Sequence, residues 1–418
     1  MDNQLLSPIA IAQESLLRLE NNLTFWKQVN REYDDKFSIE NEKVGFIYNA
    51  RGRVRYRTRQ GDGVKIQGTQ EQMVPIAINR LWGCDLDFSD QDLTLVVSRF
   101  GERYVEPAVD AIVNDIDGEG LDLYKDVYNH AGTPGVANTD LTVYTKGAGV
   151  ALANSACPRG RERALVVDAD GEANALGFNN NIFNPPAEIG RQYTEGTMGR
   201  ALGYKWSMDQ NVARQLTGNL GTAGAPTSNP IVTVAGQTGS TLLTSGWDAT
   251  LPILKQGDII SVAGMNGVNP ISYRDTGKLR TFVITADVSS DGAGLASLPI
   301  SPPISADTES PYQTVMNTAA ASAVLRVYDK LKANFTPIGG VSSPQSLAFD
   351  KNAFCLAIVK QDLPGGMEWS ERVTNKNVGL SVRLVRGYVI GTNRKITRLD
   401  VLGGWKTLQP QLACRVSG

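Results

Sequence analysis

Histidine is almost absent from this sequence: among 418 residues, His130 is the only one. A zinc site that needs two histidines from one chain is excluded by that count. Any Ser–His–Asp chemistry would depend on His130 alone. That residue sits in Asn129-His130-Ala131-Gly132-Thr133-Pro134-Gly135, a turn-rich stretch, and reads as a loop residue. Cysteine is scarce as well. Cys84, Cys157, Cys355 and Cys414 form no C-x-x-C pair, which argues against a zinc ribbon or a redox dithiol and for four free thiols in a reducing compartment. Charge of either sign is not in excess: 41 Lys+Arg stand against 43 Asp+Glu, for a net charge of −2. Such a chain has no global attraction to nucleic acid or to an anionic membrane, so any such contact must come from a local patch. No run of ~18 apolar residues is present, so no membrane-spanning helix is expected. The start, Met1-Asp2-Asn3-Gln4, lacks the basic stretch of a secretion signal, and the expected place of synthesis is the cytoplasm.

Catalytic signatures are missing too. Thr276-Gly277-Lys278 has neither the upstream glycine spacing nor the following Ser/Thr of a phosphate loop, and there is no G-x-S-x-G elbow. Asp115-Ile116-Asp117-Gly118-Glu119 and Asp168-Ala169-Asp170-Gly171-Glu172 hint at calcium, but both place glycine too early for an EF-hand loop. Paired-carboxylate enzymes leave no local signature, so an enzyme with a carbohydrate-binding β region stays open. Its β segment, however, offers only Trp247, Tyr273 and Phe282 for stacking on sugars.

What is present is an ordinary globular composition, 41% apolar and 20% charged, with enough length for two to three domains at roughly 100–200 residues each. Residues 1–42 read as a helical arm: Ser7-Pro8 is a helix start, and Ile9, Ala12, Leu16, Leu19, Leu23 and Trp26 recur at helical spacing. It is either a packed surface helix or an arm that lies on a neighbouring subunit. Residues 43–88 begin with a long hairpin, whose strands carry Val44, Phe46 and Tyr48 going out and Met73, Val74, Ile76 and Ile78 returning, with Gly61-Asp62-Gly63 as the turn. Between them lies the alternating row Arg51, Arg53, Arg55, Arg57 and Arg59, which period two places on one strand face. Five like charges there repel, and a two-stranded hairpin is barely stable alone, so carboxylates or phosphates must compensate them. A solvated face, a nucleic-acid grip and a subunit contact are the three readings; only Tyr56 is available within the row for base stacking.

Residues 89–128 carry the longest helical pattern, capped by Ser89, with Pro107 predicting a kink or break near Arg103 and Gly118 and Gly120 an end or second interruption. Residues 129–221 read as mixed α/β, with strands at Thr142–Tyr144 and Leu165–Val167. In residues 222–315 helical periodicity vanishes; Ile231–Val234, Asp258–Val262 and Arg280–Ile284 are strands of a small all-β barrel or sandwich set into the chain. Residues 316–418 return to α/β, with an amphipathic helix at Thr318–Lys332 and strands at Ser346–Phe349, Val378–Val385 and Tyr388–Ile390.

This order of elements, with Arg103-Tyr104-Val105-Glu106-Pro107-Ala108 through Asp115-Ile116-Asp117, and Gly257-Asp258-Ile259-Ile260-Ser261-Val262-Ala263-Gly264, resembles the major capsid proteins of tailed double-stranded-DNA phages. The closer resemblance is to short-tailed-phage coat proteins with an extra β-barrel domain. The resemblance implies an α+β, Hong Kong 97-type capsid fold. Residues 1–42 would be the N-terminal arm and 43–88 the extended loop. Residues 89–128 would be the peripheral domain with its spine helix, and 129–221 the axial and peripheral body. Residues 222–315 would be the inserted β domain, and 316–418 the return to the axial and peripheral domains. It further implies assembly with copies of itself, as hexamers and pentamers, into an icosahedral shell, with a scaffolding protein, a portal and a decoration protein as partners. DNA would be packaged on the inner face without sequence specificity, with no catalysis, cofactor, metal or membrane. The expected location is the virion capsid, after assembly in the host cytoplasm. On that basis Arg51, Arg53, Arg55, Arg57, Arg59 and Asp62 are the expected inter-subunit contacts.

Overall fold

A computed structural model describes residues 24–33, 47–51, 71–89, 106–160, 163–178, 196, 198–222, 224–334, 338–375, 380–391 and 394–418. The chain forms two compact units. One draws on residues 1–50, 73–120 and 354–406, the other on 51–72, 121–353 and 407–418. Among the described residues helices are few and sheets dominate in both units, an α+β organisation.

Ile47–Arg51 pairs with Met73–Ala77, and residues 52–70 between them, with the expected turn, lie outside the described residues. In the first unit a five-stranded sheet runs Phe354–Val359, Arg394–Thr407, Leu380–Val389, Trp369–Asn375, and Arg80–Ser89 pairs antiparallel with Arg394–Thr407. Residues expected to form two strands, up to Val385 and from Tyr388, belong to the single strand Leu380–Val389. In the segment expected to hold the spine, the helix Glu106–Leu121 is described, with Pro107 as its second described residue. Ala108, Val109, Ile112, Val113 and Ile116 are buried at 3–4-residue spacing, while Ala111 is exposed. Gly120 is required where it stands. A Cβ there would lie 2.6 Å from the Trp405 ring and 2.8 Å from that of Phe25.

The described piece of the expected arm, residues 24–33, packs within this unit. Phe25 and Trp26 are buried, and Phe25 meets Trp405 and Phe354 with ring centroids 5.4 and 5.7 Å away. Trp26–Gln28 is a single tight helical turn, and Asn30 exchanges backbone bonds with Phe354 and Leu356. The rest of the arm, and residues 90–105 of the expected spine, lie outside the described residues.

The second unit holds two larger sheets. One is mixed: His130–Gly132, Ala413–Ser417, Ser342–Asp350, Arg163–Val167, Tyr204–Met208 and Arg200–Ala201 follow one another, and Arg214–Leu216 also pairs with Ser342–Asp350. His130–Gly132 runs parallel to Ala413–Ser417, and Arg163–Val167 parallel to Tyr204–Met208. The other sheet has six strands, in the order Leu325–Val327, Ile259–Val268, Asp275–Ile284, Ala296–Ile304, Gly239–Ser245, Ile231–Val232. Ile260, Val262, Phe282, Val283, Leu298 and Leu325 are all fully buried in its core. Each such side chain contributes about 1.5–3 kcal/mol by leaving water. The all-β character expected of residues 222–315 is therefore present.

Three local expectations are corrected. Thr142–Tyr144 is not a strand. Asp140 accepts from the Thr142 N–H and hydroxyl, and a helix follows, wide over Val143–Gly149 and α-helical over Val150–Asn154. The carboxylate satisfies the N–H of Thr142, the residue that leads into the helix, in a local turn rather than across a ladder. Thr318–Lys332 contains no helix. Leu325 and Val327 are buried alternately and pair with Val262 and Ile260, so tertiary pairing overrides the 3–4-residue spacing. His130 is in a strand, not a loop.

Candidate functional site: assembly elements and a buried polar core

Of the expected contact residues, Arg51 ends the strand Ile47–Arg51. Arg53, Arg55, Arg57, Arg59 and Asp62 lie outside the described residues. No described geometry brings the row together.

The polar arrangement that is on view had no sequence signature. Asp258 is fully buried in the second unit. Its Oδ2 accepts from the backbone N–H groups of Lys255 at 2.8 Å and Gly218 at 2.9 Å; its Oδ1 accepts from the Tyr328 hydroxyl at 3.0 Å and Gln215 Nε2 at 3.2 Å. Tyr124 donates to Gln215 Oε1 at 2.5 Å. Arg415, also fully buried, lies over the rings of Tyr124 and Tyr328 at 5.8 and 5.7 Å, and its three side-chain nitrogens have no hydrogen-bond partner in the described protein. Desolvation raises the Asp258 pKa above its ordinary value, against the pull of the hydrogen bonds from Lys255, Gly218 and Tyr328 and of the Arg415 charge. Burial pushes Tyr124 up to about 12 and Tyr328 well above 10. The signal that could have found Arg415 is a lone cation within the apolar run Leu412-Ala413-Cys414-Arg415-Val416 that ends the sheet.

His130 joins the same core. Its ring meets Tyr328 edge-on at 5.0 Å, and Nε2 lies 3.1 Å from Ser417 Oγ. The Ser417 hydroxyl donates its one proton to Gln345 Oε1 at 2.9 Å, so the imidazole must donate through Nε2–H rather than accept. Desolvation and the charges of Arg415 and Lys330 hold its pKa well below 6.5, and the ring is neutral. An imidazole that donates to a serine cannot take that serine's proton, so the pair is not an activated nucleophile.

The carboxylates that hinted at calcium hold structure. Asp117 accepts from the Thr24 and Trp26 N–H groups at 2.8 and 3.4 Å. Glu119 accepts from Trp82 Nε1 at 3.2 Å and pairs with Arg80 at 3.3 Å. Asp168 accepts from the Gly171 N–H at 3.2 Å, at the start of the helix Ala169–Phe178. Among the described residues no three His, Cys, Asp or Glu side chains gather as a metal site, and no helix is long and apolar enough to cross a membrane. All four cysteines are free thiols.

The sheet of the first unit carries a different display. Asp400 accepts from Arg383 Nη2 and Arg398 Nε, both at 2.6 Å; Lys395 pairs with Glu368 at 3.0 Å and Arg394 with Asp87. Beside these charges Tyr388, Val389, Ile390 and Ile396 are exposed, Ile390 by 81%.

Residues 221–416, just under half of the chain, match the family described as P22 coat protein, gene protein 5. The chain is similar to the coat proteins of tailed phages. No curated protein matches it in sequence. Among solved structures, one from Mycobacterium phage Che8 is 13% identical, with a TM-score of 0.47, over 94% of this chain and 90% of that one. The bacteriophage PhiM1 mature capsid is 8% identical, with a TM-score of 0.39, over 91% and 83%. The CUS-3 coat protein I-domain is 23% identical, with a TM-score of 0.19, over 25% of this chain and 98% of that one. Shape likeness at this level carries no weight by itself, and the coat-protein resemblance rests on the family match.

Proposed function

We propose that this chain is the major capsid protein of a tailed phage, a structural subunit without catalytic function. It assembles with its own copies as hexamers and pentamers into an icosahedral shell around double-stranded DNA. The observation that carries this is the match of residues 221–416 to the P22 coat protein family. Two features support it. The one histidine donates to its serine neighbour, and the exposed apolar residues around Ile390 suit a chain that buries surface on other copies.

The finer proposal is a Hong Kong 97-type subunit. In it residues 1–42 are the arm, 43–88 the extended loop, 89–128 the spine-bearing segment, 129–221 and 316–418 the axial and peripheral body, and 222–315 an inserted β domain. A scaffolding protein, a portal and a decoration protein are the proposed partners. The proposed location is the virion, after assembly in the host cytoplasm. Heterologous contacts that close into rings give an arm and a projecting hairpin the burial they lack alone. In this scheme Arg51, Arg53, Arg55, Arg57, Arg59 and Asp62 face charges of a neighbouring subunit.

Negative-stain imaging and size-exclusion of the full chain, alone and co-expressed with its scaffold, should show rings, shells or aberrant spirals. A strict monomer under every such condition overturns the proposal. Arg55→Glu should leave the monomer folded and abolish normal particles; normal particles from that variant would remove the arginine row from the contact.

A further inference from the structure

Beside the buried core of the second unit lies an open cleft of about 440 Å³ whose lining is cationic. Arg280, Arg326, Lys146 and Lys278 line it, against one carboxylate, Asp329. Asp329 pairs with Arg326 at 3.4 Å, through Nη1 alone. Three buried donors on this cleft have no hydrogen-bond partner among the described residues: Arg280 Nε, Arg326 Nε and Ser261 Oγ. Ser261 is only 1% exposed. Strand register explains part of the gathering, because Ser261 sits directly opposite Arg326 in the antiparallel pairing. Arg280 is held from behind by the Tyr128 ring, 4.4 Å from its guanidinium carbon.

A desolvated donor without an acceptor costs about 1–3 kcal/mol, more when charged. A site that gathers three of them therefore asks for an anion with several acceptor oxygens. The planar fork of arginine matches phosphate geometry, and the hydroxyl and two lysines add donors without a competing carboxylate beyond Asp329. His130, also on the lining, adds no charge because burial keeps it neutral.

We propose that this cleft is a binding site for a phosphate-type oxyanion, held by Arg280, Arg326 and Ser261 and attracted by Lys146 and Lys278. The source is either free phosphate or the phosphodiester of a nucleic acid. Thr276-Gly277-Lys278 lacks phosphate-loop spacing, yet as part of the strand Asp275–Ile284 it brings Lys278 to the lining. The inference does not depend on the capsid proposal, since the site lies within one chain.

The test is titration of the full chain with inorganic phosphate, followed by calorimetry and by melting temperature at ionic strength matched with chloride. A saturable rise is expected. Arg280→Gln/Arg326→Gln should weaken phosphate at least about tenfold, as expected for losing charge-assisted hydrogen bonds. Ser261→Ala and Lys146→Gln/Lys278→Gln should each weaken it several-fold, with the fold checked by circular dichroism. The milder variants decide the matter if the arginine pair does not fold. A single-stranded oligothymidylate without terminal phosphate then separates the sources. Competition with phosphate identifies a phosphodiester site; phosphate binding without competition identifies a free-anion site. No saturable phosphate effect in the unaltered chain, or the same affinity in every folded variant, overturns the proposal.

Discussion

Asp258 in one unit and Asp400 in the other are both fully buried, and the two are stabilised in opposite ways. Asp258 is surrounded by neutral donors, two backbone N–H groups, an amide and a phenol, with the Arg415 charge set behind the tyrosine rings. Asp400 is gripped by two guanidinium groups whose side chains reach the surface, at 20% exposure for Arg383 and 45% for Arg398. Gly83, opposite Asp400 in the ladder, leaves room for this, since a Cβ there would stand 2.8 Å from Asp400 Oδ1. The first arrangement fixes an interior by aiming dipoles. The second ties adjacent strands together at a surface where water can replace either partner. Equal burial therefore does not mean equal dependence on the charge.

The largest effect should follow from Asp258→Ala, which leaves four buried donors without their acceptor. A loss of about 3–5 kcal/mol is expected in urea unfolding of the full chain. Asp400→Ala should cost less, about 1–3 kcal/mol, because Arg383 and Arg398 can rehydrate; equal losses at the two sites would break the comparison.

A third aspartate, Asp248, sharpens it from the exposed side. It accepts from the N–H and hydroxyl of both Thr222 and Thr227 at 2.7–2.8 Å, which holds its pKa far below 3.8. A depressed carboxylate contributes stability that is complete above pH 3.8 and is lost as pH falls toward the folded value. Asp248→Ala should cost about 1 kcal/mol at pH 7, after allowance for solvent screening, and the gap to the unaltered chain should narrow at pH 3. A gap that widened on acidification would reverse the assignment.

The smallest effect belongs to Arg415→Met. Its guanidinium makes no hydrogen bond among the described residues, so removing it relieves a desolvated charge while forfeiting ring contacts, and the net change should be under about 1 kcal/mol. A loss comparable to that of Asp258→Ala would show that the cation, rather than the dipoles, holds the carboxylate.

How much was legible beforehand varies with the element. The runs Asp258–Val262 and Arg280–Ile284 announce the buried halves of the strands Ile259–Val268 and Asp275–Ile284 but not their glycine-containing extensions, and apolar spacing announces the buried face of Glu106–Leu121. Thr142–Tyr144 was misread because the Asp140 carboxylate, two residues upstream, holds Thr142 in a local turn that leads into a helix the local residues do not favour. Leu325–Val327 was misread because three residues cannot establish a period, and the partner strand lies more than fifty residues away. Neither the buried polar core nor the cationic cleft could be seen in the sequence. Asp258, Gln215, Tyr328 and Arg415, like Arg280, Arg326 and Ser261, are far apart along the chain or differ in periodicity, and only the folded sheets bring them together.

The sequence by itself limited the chemistry and marked the β region. One histidine and dispersed cysteines limit the catalytic and metal options, and the change from helical to alternating apolar spacing marks a β region at 222–315. Local residue spacing carries that information because periods of 3.6 and 2 are properties of neighbouring residues. Tertiary structure alone decided which charges are buried, which carboxylates became caps rather than ligands, and where the cationic cleft opens. Those outcomes depend on strand order and register between distant segments, and on whether a partner or only low-dielectric interior faces each group.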